Sequence, residues 1–105
     1  MAEASWWLDA SALPARLLWA RLDVFADGSA SVLDLDGRYH LFAERASAVL
    51  WLAEDEYESL AGLVADGSVG PGVAPPVAAS DRQLVPLMVA RADAEPGAAA
   101  DGGGR

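Results

Sequence analysis

Residues 17–43, LLWARLDVFADGSASVLDLDGRYHLFA, form three short runs rich in strand-favouring residues, separated by Asp27-Gly28 and Asp36-Gly37. Asp-Gly tolerates the positive φ angles of a tight hairpin turn, so the pattern predicts a three-stranded antiparallel meander. Two-residue turns set Leu22 opposite Leu33, Leu33 opposite His40 and Val24 opposite Ser31. That register gathers Ala20, Leu22, Val24, Leu33, Leu35 and Phe42 on one face and leaves Arg21, Asp34 and Tyr39 on the other, as a one-sided sheet requires. Three-residue turns with a glycine bulge would bring Arg21 opposite Leu33, a poorer match, so the two-residue register is preferred.

The period then changes. In ERASAVLWLAEDEYESLAGLVADG, residues 44–67, Ala46, Val49, Leu50, Ala53, Tyr57, Leu60, Ala61 and Val64 recur at spacings of three and four. This predicts one amphipathic helix, closed by Gly67 in the left-handed conformation. Residues 10–19 read as a turn or loose helical turn leading into the first strand near 17. In an extended SWWLD segment, residues 5–9, side chains alternate, so Trp6 and Leu8 anchor the N-terminus while Trp7 faces the other way, awaiting a partner or meeting Trp51. The Pro/Gly-rich stretch 68–81 is a connector. RQLVPLMVA leaves room for an extra edge strand near 83–90, at an edge because Pro86 lacks a ladder donor. Residues 91–105 have nothing to bury and are expected to be a disordered tail. The expectation is an α+β fold: a three-stranded antiparallel β-meander packed on one long amphipathic helix, in a single domain over 1–90 with its core in 17–66.

Composition narrows the class of function. A chain of 105 residues with 53% hydrophobic and 22% charged residues suits one globular core. There is no apolar run long enough to span a membrane and no basic leader, so a cytoplasmic protein is expected. The formal charge of −9 opposes nucleic acid and anionic membranes and favours a basic partner. All seven basic residues are Arg, and Lys, Asn, Ile and Thr are absent, a bias that GC-rich codons alone produce.

The chemistry is mostly excluded. With no Cys and a single His, the chain has neither a thiolate nucleophile nor a zinc ligand set, and it has no phosphate-binding glycine loop. His40 reads as an edge-of-core residue. Asp23, Asp27, Gly28 and Asp34 resemble part of a calcium loop, but Phe25 occupies a ligand position and the turn explains the same residues. No catalytic residue, cofactor or metal is therefore expected.

A partner surface remains. With the helical stripe centred near Ala53 and Tyr57, Trp51 points outward among Glu54, Asp55 and Glu58 with Leu52 beside it. An exposed Trp forgoes roughly 4–6 kcal/mol of burial, so either the chain's own termini or a partner covers it. The reading is a small acidic interaction domain (adaptor, inhibitor or regulatory subunit) that binds a basic protein through Trp7, Trp51, Leu52, Glu54, Asp55 and Glu58. One alternative is a small-molecule pocket on the mixed sheet face lined by Arg21, Asp34 and Tyr39. Another is a self-associating structural domain, since the open sheet edges permit a homodimer.

Overall fold

The computed structural model describes residues 2–91. The tail expected from 91 onward lies, past Arg91, outside them. In chain order the elements are β1 (Ala2–Asp9), a 3-10 turn (Ala10–Ala12), β2 (Arg16–Phe25), β3 (Ala30–Leu33), β4 (Tyr39–Phe42), α1 (Arg45–Glu54), β5 (Tyr57–Ser59), α2 (Leu60–Ala65), α3 (Asp81–Leu84), a second 3-10 turn (Val85–Met88) and β6 (Val89–Arg91). The fold is α+β, as expected. The predicted meander β2–β3–β4 is part of a larger antiparallel sheet, ordered β4-β3-β2-β1-β5, with β6 pairing with the first residues of β2.

Both meander turns are three-residue loops, which corrects the predicted register. Phe25 N donates to Ser29 O (2.8 Å) and Gly28 N to Phe25 O (2.9 Å); Asp34 N donates to Arg38 O and Gly37 N to Asp34 O, both at 3.0 Å. Gly28 and Gly37, at φ 92 and 84, occupy the left-handed position that follows a type I turn in such loops. Arg21 therefore pairs with Leu33, and Leu22 with Val32. The two-residue register suited a sheet with one covered face, whereas here both faces are covered. Leu22 and Leu33 lie on opposite sides, each in a core of its own.

The first core lies under α1 and comprises Trp7, Ala20, Leu22, Ala30, Val32, Ala48 and Leu52. The second, on the other side, joins Leu8, Trp19 and Leu33 to Leu63, Val69, Leu84 and Met88. Strand alternation explains the division. Trp7 pairs with Ala20 and shares its face, while Leu8 pairs with Trp19 and Trp6 with Arg21 on the opposite face. Trp6 meets Trp19 edge-on at 5.7 Å, so Trp6 and Leu8 dock together as expected.

The single long helix is the main departure. It stops at Glu54, Glu56 takes a left-handed φ of 64, and Tyr57–Ser59 cross to pair with β1. A continued helix would stack Glu54 on Glu58, a like-charge i,i+4 pair. Ser59 instead caps a new helix, its Oγ accepting from Gly62 N at 3.1 Å. α2 then ends at Ala65, and Gly67, at φ 83, holds the expected left-handed position. Of the proposed edge strand near 83–90, only Val89–Arg91 is extended; Pro86 instead sits early in the 3-10 turn, where its missing N–H costs nothing.

Candidate functional site

The predicted partner surface divides into a buried aromatic part and an exposed acidic part. Leu52 is fully buried in the first core, as is Trp7 at 7% exposure, its Nε1 donating to Ser5 Oγ at 3.0 Å. Trp51 is half-buried and faces the sheet, its ring 4.5 Å from His40 and 5.8 Å from Phe42, centre to centre. It does not point outward. The reason is helical phase: α1 buries Ala48 and Leu52, about 100° from the stripe centre expected at Ala53, which turns Trp51 inward. Trp7 and Trp51 thus join the same hydrophobic cluster, and the chain covers its own aromatic residues.

Glu54, Asp55 and Glu58 are exposed, and Glu56 joins them at the α1–β5 turn. Four carboxylates within five residues line the β5 edge as an anionic ridge, Glu54 at the end of α1 and Glu58 on the opposite face beside its partner Leu8; among the described residues none lies within ion-pair distance of an arginine. Backbone hydrogen bonds brace the turn: Asp55 N donates to Leu52 O, Glu56 N to Ala53 O, and Glu56 O accepts from Ala10 N at 2.8 Å. Tyr57 sits half-buried beneath the ridge. Burial, reinforced by the charges of Asp34, Asp9 and Asp55, pushes its phenol up to about 12. Glu56 carried no role in the sequence; its signal was the uninterrupted acidic run beside a β-favouring Tyr.

The alternative pocket on the mixed face is rearranged. Arg21 and Tyr39 do come together, but through Asp81 rather than Asp34. Arg21 grips Asp81 with both terminal nitrogens (2.8 and 2.9 Å) and Asp23 Oδ2 with Nε (3.0 Å), while the Tyr39 hydroxyl donates to Asp81. The Arg21 guanidinium, with the Tyr39 hydroxyl, holds the Asp81 carboxyl down to about 2, and Asp81 in turn raises the Tyr39 phenol. All three guanidinium nitrogens of Arg21 are engaged, so the cluster clamps α3 to the sheet beside a shallow surface depression lined by Leu33, Gly37 and Val85. Asp81 was not anticipated, although Ser80-Asp81-Arg82-Gln83 carries a helix-capping pattern and Ser80 Oγ accepts from Gln83 N.

Asp34 instead faces His40, with Oδ2 3.5 Å from Nε2, and Asp36 approaches Arg38 at 3.5 Å. Ligand atoms of Asp34, Asp36 and His40 lie within 4.8 Å of one another. Each carboxylate already serves its turn: Asp34 accepts from Leu35 N and Asp36 from Arg38 N.

Among the described residues, no helix is long and apolar enough to cross a membrane. No protein-family model, curated protein or solved structure matches the chain, so similarity transfers no activity to it.

Proposed function

We propose that the chain is a small, non-catalytic acidic interaction domain, an adaptor, inhibitor or regulatory subunit, that binds a basic protein surface through Glu54, Asp55, Glu56 and Glu58. The observation that supports this reading is the exposed carboxylate ridge, without an arginine in ion-pair distance among the described residues, on a turn braced by backbone hydrogen bonds. Preorganised like charges repel one another, and a cationic partner relieves that repulsion while being steered toward it. Trp7 and Leu52 belong to the core, so recognition is electrostatic rather than centred on an aromatic residue.

The test is capture of partners from an extract of the native cell by the full chain. Asp55→Arg with Glu58→Arg should weaken capture at least about tenfold, as expected when like charges face each other across an interface. Glu3→Arg with Asp66→Arg makes the same change in net charge elsewhere and should leave capture intact. Equal capture by both variants, with circular dichroism confirming that both fold, would remove the ridge from the proposal.

A further inference from the structure

The sheet ends in two edge strands of different character. β5 is three residues long, carries Glu58 and runs directly into α2, and the neighbouring acids discourage pairing with another strand. β4 lacks these protections. Between Arg38 and Glu44 the chain reads Tyr39-His40-Leu41-Phe42-Ala43, and Leu41 is 79% exposed. Residues 38–45 hold two arginines against one glutamate, a local excess of positive charge in a chain of net charge −9.

The direction of β4's backbone groups follows from the two hairpin loops. Asp34 N donates to Arg38 O and Phe25 N to Ser29 O. Bonded pairs in an antiparallel ladder recur at every second residue, so even-numbered residues of β3 bond to β4 and odd-numbered ones to β2. His40 and Phe42 therefore use their backbone groups on β3. Tyr39 and Leu41 direct theirs outward, where no strand meets them among the described residues, and the strand ends at Phe42 before a bend at Ala43 and Glu44.

We infer that two copies of the chain pair through β4, antiparallel, about a two-fold axis at Leu41. In that register Leu41 exchanges both backbone hydrogen bonds with Leu41 of the second copy, and Tyr39 comes opposite Ala43, one residue past the end of the strand. Arg38 then stands opposite Glu44 at both ends. Centring the axis on His40 instead would set Arg38 against Phe42 and the two imidazoles against each other, so charge selects the Leu41 register. On the α1 face His40 stands opposite Phe42 of the second copy, which extends the Trp51–His40–Phe42 layer across the junction. The two five-stranded sheets become one of ten strands, and the two acidic ridges, at the β5 edges, end up at its far ends.

Sedimentation of the full chain should show a concentration-dependent dimer. Leu41→Arg sets two like charges on the axis at an exposed position and should yield a folded monomer. Arg38→Glu alone and Glu44→Arg alone each bring like charges together twice and should raise the dissociation constant about tenfold. Mixed in equal amounts, the two variants should form a heterodimer near wild-type strength, because each Glu then meets an Arg. Wild-type protein that stays monomeric at all concentrations would overturn the inference and leave the edge to another chain or to residues 92–105. A dimer that survives Leu41→Arg would place the contact elsewhere, and a mixture that fails to recover would refute the register.

Discussion

The two faces of the sheet are covered in different ways. One carries α1, ten consecutive residues that set Ala48 and Leu52 into a core with Trp7, Ala20, Leu22, Ala30 and Val32 of the sheet. The other carries Trp19, Leu8 and Leu33 beneath a cover assembled from α2, the 66–80 connector and α3 with its following 3-10 turn. A helix covers apolar surface cheaply because its own backbone is already hydrogen-bonded. The irregular cover needs an explicit polar anchor, which the Arg21–Asp81–Tyr39 clamp provides. The comparison shows that an irregular, Pro/Gly-rich segment can do the work of a structural layer when large side chains beneath it supply the burial.

The largest test of that equivalence is paired truncation. Leu52→Ala on the helical side and Met88→Ala on the irregular side remove side chains that are both fully buried. Each should lower the unfolding free energy by about 2–5 kcal/mol in urea titrations. Because the sheet separates them, their effects should add to within about 0.5 kcal/mol. A cost below about 1 kcal/mol for Met88→Ala would show that the irregular cover is only draped over the sheet.

A smaller effect separates the faces by acid. Asp81→Asn should cost about 1 kcal/mol at neutral pH, reduced because the carboxylate is partly exposed. With its folded pKa held down to about 2, the Asp81 contribution is fully present above the ordinary carboxylate range near 4. It is lost as pH falls through about 2. Wild type and Asp81→Asn should therefore converge in stability between about pH 4 and 2, whereas Leu52→Ala should stay offset throughout. An Asp81→Asn offset that persists unchanged at low pH would mean that charge is not what holds the clamp.

The features legible in the sequence are those that repeat. Both Asp-Gly turns stand where expected, and the alternation at Trp6, Trp7 and Leu8 correctly assigned Trp6 and Leu8 to one side. The helix was legible as far as Glu54; past it, Tyr57, Leu60, Ala61 and Val64 happen to continue a helical spacing that β5 interrupts. The sequence pattern misplaces the register and the orientation of Trp51 for one shared reason. The second cover has no period, so the pattern implies a sheet with one apolar face and places Leu33 and the helical stripe on it. Of the candidate site, the exposure of Glu54, Asp55 and Glu58 is legible from charge, whereas Trp51 and Leu52 depend on a helical phase that only the packing determines, and Trp7 on which face of the sheet α1 covers.

Glu56 is where the chain passes from covering one face to covering the other. Among the described residues it alone holds a positive φ without being glycine. A left-handed side-chain-bearing residue costs about 1–2 kcal/mol, so Glu56→Gly should stabilise the fold by about 1 kcal/mol in the same titrations. One base change in a glutamate codon makes glycine, so the more stable chain is always a single mutation away. If that mutant is sturdier yet poorer at capture, the joint marks a compromise between durability and recognition, and natural selection has favoured recognition.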